Sequence, residues 1–329
     1  MKIYRLFFIV MAAAALLAVA GCGRPKSYRE ASGQTWNTFY HISYRADRDL
    51  HDSIRAAMRS VELSLSPFCD SSLVARINRG ERVAADGRLL TVLKGSQEVN
   101  RRSFGAFDPT VSPLINLWGF GYKSGAGAPT QEMIDSALSR VGIAGCRVDE
   151  AGCLVGPHAE TEYNFSAITK GYGCDAVGEM LRRNGVEDYM VEIGGEIAMS
   201  GQSPRRGPWS IMIEAPVEND TMLVRERLAV VRLTDCGVAT SGNYRNHHKD
   251  AEGRKRWHTI SPVTGYPAET RLLSATVVAP SAMLADAYAT AAMALSPDSA
   301  RMMFDGLADV SALLVTGDTI IVTEGFPEF

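Results

Sequence analysis

Apolar residues recur at three- and four-residue steps in several stretches of the chain. Leu50, Ile54, Met58, Val61 and Leu65 form one such stripe, and Met133, Ile134, Ala137, Leu138 and Val141 form another, opened near Thr130 and stopped at Gly142. Residues 174–184 read as a third helix, closed by Gly185. Runs rich in β-branched and aromatic residues cover 189–193, 209–214, 228–233 and 274–279. Two more, at 312–316 and 319–323, flank Gly317-Asp318, a hairpin signal. Late hairpins and few β-α-β alternations predict an α+β fold with a largely antiparallel sheet, in preference to a doubly wound one. Gly171 and Gly173 open a helix, but a third glycine and a downstream acid, which a dinucleotide fingerprint needs, are missing.

Residues 281–295, SAMLADAYATAAMAL, read as an alanine-rich helix with Met283, Ala287, Ala291 and Ala294 on a core face. One carboxylate, Asp286, stands in its middle, and Thr290, four residues on, shares its face. A bare carboxylate in such surroundings costs several kcal/mol or is forced neutral, whereas a hard cation keeps it ionised. Oxygen ligands of this kind suit Mg²⁺ or Ca²⁺. Taken alone, the helix sooner suggests an ordinary exposed Asp286 and a Thr290 bonded back to its own backbone.

The start of the chain predicts export. Lys2 and Arg5 precede an uncharged run over residues 6–20, short for a bilayer span but suited to the apolar core of a signal peptide. The run ends in Val19-Ala20-Gly21-Cys22, which resembles the lipobox of bacterial lipoproteins. That resemblance implies cleavage after residue 21 and a lipid on the Cys22 thiol. The polar stretch to Gly33 then reads as a tether, so that 1–21 is signal, 22–33 tether and 34–329 the folded body. With 34 Lys and Arg against 37 Asp and Glu there is no basic excess to suggest a nucleic-acid partner. Besides Cys22 the cysteines are Cys69, Cys146, Cys153, Cys174 and Cys236, without a Cys-x-x-Cys pair, which argues for free thiols over a disulfide framework or zinc site.

Four segments are too polar and glycine-rich for their apolar settings. Ser103 to Thr110, followed by Trp118 and Phe120, sets aromatic residues beside glycine backbone, as a planar ligand would need. Asn164 to Tyr172 is a polar loop entering a helix, whose N–H groups and Lys170 could hold a phosphate. In Glu192-Ile193-Gly194-Gly195-Glu196 a strand meets a diglycine flanked by acids. The fourth runs from Ala239 to Tyr244 and resumes at Trp257-His258-Thr259-Ile260, continuing to Pro267; His258 could accept a proton there.

The order of these segments resembles the ApbE family, the FAD:protein FMN transferases. Phe107-Asp108-Pro109-Thr110-Val111 and Leu117-Trp118-Gly119-Phe120-Gly121 carry the resemblance most directly. Lys170-Gly171-Tyr172, Glu192 to Gly195, Ala239 to Tyr244, His258 to Pro267 and Ala285-Asp286-Ala287 with Ala289-Thr290 follow in the family's order. The resemblance implies a two-lobed body with its active site between the lobes. It implies FAD as substrate and Mg²⁺ as cofactor, transfer of FMN to a threonine of a partner redox protein, and release of AMP. Hydrolysis of FAD to FMN and AMP, or flavin binding without chemistry, are the alternatives. By the same resemblance the metal ligands are Asp286, Thr290 and the main-chain carbonyl of Ala167. The FAD contacts are Trp36, Phe68, Ala106, Phe107, Asp108, Asn164, Lys170, Trp257, His258 and Ile260. Trp36 and Asn37 stand where the family has Met and Gly, Asn164 where Asp is common, and Ser261 where Asp or Asn usually follows the isoleucine. With no carboxylate at Ser261, His258 is the candidate base. The expected location is a membrane-anchored lipoprotein on the periplasmic face of the inner membrane.

Overall fold

Alternation of side chains along the strands decides the architecture, because the central strands of the main sheet feed two different cores. The computed structural model describes residues 25–120, 129–216, 226–242, 247–249, 255–257 and 259–329. Eight strands form one antiparallel sheet. Along it lie β1 (Ser27–Thr35), β2 (Thr38–Ala46), β5 (Tyr189–Ile193), β6 (Glu196–Ser200), β9 (Cys236–Gly242), β12 (Leu272–Ala279), β13 (Ser311–Thr316) and β14 (Ile320–Val322), in that order. Short pairs β3 (Arg147–Val148) with β4 (Leu154–Val155), and β10 (His247–Lys249) with β11 (Lys255–Trp257), lie apart from it. The antiparallel α+β architecture is the one the patterning predicts.

On one face, Ala198, Ala239, Ala275, Val277, Ala312 and Leu314 meet helices. These are α1 (His51–Leu65), α2 (Leu73–Asn78), α3 (Gly87–Arg102), α6 (Ser166–Arg183) and α7 (Ala282–Met293), with α8 (Pro297–Asp305) beside them. On the other face, the intervening Ile197, Met199, Val238, Leu313 and Val315 pack against a hairpin of β7 (Trp209–Glu214) and β8 (Arg227–Leu233). Period-two alternation therefore yields a helix layer, a sheet and a hairpin layer. A small satellite core joins α4 (Ser112–Leu117) and α5 (Gln131–Leu138) through Leu114, Ile134, Ala137 and Ile260.

One boundary needs correction. The tether expected over 22–33 does not extend that far, since the chain is sheet from Ser27 and pairs along its whole length with β2. β1 is an edge strand with Ala31 as its one fully buried residue, so the apolar alternation that marks inner strands is missing. The turn between β1 and β2 consists of Trp36 and Asn37, both with positive φ (49° and 58°), the backbone of a two-residue hairpin turn. Asn suits that conformation and Trp does not, so the indole is held there against a local cost. Helix α7 differs too. It is buried on nearly every side rather than along one stripe, because α3, α6, β9 and β12 all pack on it.

Candidate active site

The cleft is built where α6 and α7 cross. Gly171 of α6 sits so close to α7 that a Cβ would lie 2.1 Å from the carbonyl oxygen of Ala282. Glycine alone permits that approach. The N-terminus of α7 is fixed by Asp175, whose carboxylate accepts from the N–H groups of Ala282 (3.0 Å) and Met283 (2.8 Å). Burial raises the Asp175 carboxyl to about 6, opposed by those two N–H groups. This clasp brings Asp286, one turn further along, to face the first turn of α6.

Asp286 is 2% exposed. Its Oδ2 accepts the N–H of Gly171 at 3.0 Å, and its Oδ1 stands 3.9 Å from Lys170 Nζ. Lys170 also pairs directly with Glu196 Oε1 at the start of β6. Burial raises the Asp286 carboxyl, while Lys170 and the Gly171 N–H pull it down. Burial, followed by the Asp286 charge, likewise raises Glu196 against the opposing pull of Lys170. Burial alone would lower the Lys170 ammonium, but Asp286 and Glu196 together raise it well above an ordinary lysine. The lone carboxylate expected on α7 is thus one of two acids sharing one ammonium.

Around this cluster a cavity of about 470 Å³ is lined by Ala106, Phe107, Asp108, Asn164, Ala167, Lys170, Glu196, Ile260, Asp286 and Thr290, among others. A second cavity of about 590 Å³ is lined by Trp36, Phe68 and Pro67. The two share Ser166 and Lys170, so a charged chamber adjoins an aromatic one. Trp36 lies over α6 at Gly173, where a Cβ would come within 2.5 Å of the indole. Phe68 is 66% exposed on the rim.

Local hydrogen bonds set the walls. The main-chain N–H of Asn164 donates to the Pro109 carbonyl at 2.8 Å, tying the 104–110 loop to the start of α6. Asn164 Oδ1 accepts from the Ser166 N–H (3.0 Å) and Oγ (2.6 Å), which leaves its amide group to donate to a ligand. Trp118 Nε1 donates to the Gly265 carbonyl at 2.8 Å and joins α4 to the 259–267 loop. Phe107, 2% exposed, packs in the main core and also lines the charged chamber. Trp118 is a strut against Tyr266, and the flat open surface comes from Trp36 and Phe68.

Asp108 lines the cavity, but its oxygens are committed inward. Oδ1 accepts from the Thr110 N–H (2.8 Å) and hydroxyl (2.6 Å), and Oδ2 from the Ile143 N–H (2.9 Å). These bonds fix the shape of the loop at the cavity wall. Asp108→Ala strands three buried donors, so unfolding stability should fall by about 2–4 kcal/mol, with ligand affinity falling as a consequence. Chemical denaturation reads this directly; unchanged stability with lost ligand affinity would make direct contact with the ligand the residue's main role.

Among the described residues no three His, Cys, Asp or Glu side chains converge on one point. The candidate set of Asp286, the Thr290 hydroxyl and the Ala167 carbonyl nevertheless fits a hard cation. All three line one cavity, and the Gly171 N–H of the same helical turn as Ala167 donates to Asp286, which holds the carboxylate against the start of α6. Among the described residues the one hydrogen-bond partner of Thr290 Oγ1 is the hydroxyl of Ser241, at 3.5 Å. Cys22 and His258 lie outside the described residues, and Trp257 is described only as backbone of β11. Cys69, Cys146, Cys153, Cys174 and Cys236 are free thiols, as expected. Reading by sequence missed the role of Glu196; its one signal was the acid directly after Gly194-Gly195, which is also what an ordinary turn looks like.

Fold and cleft together define an α+β enzyme whose cleft offers a flat-walled chamber and a charged one, as an elongated nucleotide requires. The chain belongs to the ApbE family, whose profile matches residues 36–314. It is 33% identical to the FAD:protein FMN transferase of Haemophilus influenzae, over 97% of this chain and 96% of that one. To the enzyme of the same name from Vibrio cholerae it is 34% identical, with the same coverage. Among solved structures, the flavin transferase ApbE of Vibrio cholerae superposes with a TM-score of 0.79 at 31% identity, covering 92% of this chain and 99% of that one. The apo flavinyl transferase ApbE of Pseudomonas stutzeri also gives 0.79, at 30% identity, covering 91% and 95%.

Proposed function

We propose that this enzyme transfers the FMN half of FAD to a threonine hydroxyl of a partner redox protein and releases AMP, with Mg²⁺ bound at Asp286. The observation that carries this reading is the meeting of Ala167, Lys170, Asp286 and Thr290 in one chamber, adjoining the aromatic chamber of Trp36 and Phe68. The acceptor oxygen attacks the phosphorus of the FMN half, the bond to the bridging oxygen breaks, and AMP leaves with that electron pair. When bound, Mg²⁺ supplies neutralisation of the charge that grows on the diphosphate. The protein's own part is positioning. Lys170 and the Asn164 amide hold phosphate oxygens, Trp36 and Phe68 offer faces for a ring, and the walls of Phe107 and Ile260 exclude water. His258 is the candidate to take the acceptor's proton.

Incubation of the protein with FAD, Mg²⁺ and a redox domain carrying an acceptor threonine tests this reading. Covalent flavin on the acceptor is the expected product. Free FMN with an unlabelled acceptor would make it a hydrolase, and unchanged FAD a carrier.

The Val19-Ala20-Gly21-Cys22 motif supports a lipid anchor that holds the enzyme at the periplasmic face of a membrane. Cys22→Ala should block lipidation and release the protein from the membrane fraction. A processed Ala variant that stays membrane-bound would remove the anchor assignment.

A further inference from the structure

Glu196 has no place in the ligand sets considered so far, yet it is 4% exposed and touches the cleft's only described ammonium. Its Oε1 pairs with Lys170, while its Oε2 is buried and has no hydrogen-bond partner among the described residues. A buried ion pair with a half-satisfied carboxylate adds little to stability over an apolar pair of the same volume. A purely structural role therefore explains it poorly.

The geometry around Lys170 suggests what the carboxylate does. Lys170 lies on the first turns of α6 with its side chain 36% exposed, and its long stem can reach solvent. Two acids hold its head, Glu196 by direct contact and Asp286 at 3.9 Å. If Asp286 were the only anchor, a cation arriving there would repel the ammonium and drive it out of the cleft. Glu196 stands on a different element, at the first position of β6, and its backbone is fixed because its carbonyl accepts from Cys174 Sγ of α6 at 3.1 Å. It can keep the ammonium in place when Asp286 no longer does.

We propose that Glu196 is the positioning residue for Lys170, holding its ammonium inside the cleft to meet a ligand phosphate once Asp286 is occupied by a divalent cation. This rests on the reading above, in which FAD and Mg²⁺ share the chamber. Charge-assisted contacts to phosphate are strong, so losing one weakens binding by about tenfold or more.

The test is FAD affinity, read by flavin fluorescence with Mg²⁺ present, for wild type, Glu196→Gln, Lys170→Ala and the double variant. The expected result is a loss of about tenfold in Glu196→Gln, a similar or larger loss in Lys170→Ala, and no further loss when the two are combined. Losses that simply add, or wild-type affinity in a folded Glu196→Gln protein, overturn the proposal. If the Gln variant does not fold, Glu196→Asp keeps the charge but withdraws it by one methylene; the same tenfold loss is expected, and wild-type affinity overturns the proposal. Wild-type protein that binds no FAD with Mg²⁺ would instead defeat the functional reading on which the proposal rests.

Discussion

Asp286→Asn should lose Mg²⁺-dependent flavin transfer, with a fall in kcat/KM on the order of a thousandfold, while remaining folded. Asparagine keeps the volume and one oxygen, and that oxygen can still accept the Gly171 N–H now given to Asp286 Oδ2 at 3.0 Å. What disappears is the charge, and hard cations depend on it. The amide group would also turn a donor toward Lys170 Nζ, which faces a carboxylate oxygen at 3.9 Å in the native protein. Stability should change little, because removing a buried charge relieves desolvation at the same time as it deprives Lys170 of one of its two acids. Mg²⁺ titration, turnover and melting temperature measured on the same preparation separate the roles. A lowered melting temperature with Mg²⁺-dependent turnover intact would make Asp286 structural.

Gly171→Ala should destabilise the fold by about 3–5 kcal/mol, and should weaken the metal site in the fraction that still folds. The added methyl would lie 2.1 Å from the Ala282 carbonyl oxygen and 2.8 Å from Asp286 Cβ. Two of the atoms it meets belong to the Ala282 backbone, so no rotamer change makes room; α6 and α7 must separate. The gain in helix propensity, about 1 kcal/mol, is too small to offset that. Gly207→Ala is the control, since nothing lies within 4 Å of a Cβ there. Equal unfolding free energies for the two variants would show that the crossing is looser than described.

Much of this molecule is legible in its sequence because periodicity reports burial. The strands at 189–193 and 209–214 fall where alternation places them, and the terminal hairpin forms around Gly317-Asp318. What escapes is whatever depends on a neighbour distant in the chain. β1 looks like a tether because an edge strand buries only Ala31 fully. The start of α6 hides its helix behind polar residues, since its first turn faces the cleft rather than the core. The three donors that hold Asp108, from Thr110 and Ile143, are likewise set by the fold. Glu196 acquires meaning only when β6 brings it against Lys170 of α6, 26 positions away in the chain.

The most direct measurement is a crystal structure with FAD and Mg²⁺ bound. It should show the cation about 2.0–2.1 Å from an Asp286 oxygen, with Thr290 and the Ala167 carbonyl in its coordination sphere. The FAD diphosphate should lie against Lys170 and Asn164, and a ring should occupy the chamber of Trp36 and Phe68. Flavin bound elsewhere, or a cation bound away from Asp286 with Lys170 still facing that carboxylate, would contradict the assignment of this cleft as the site of transfer.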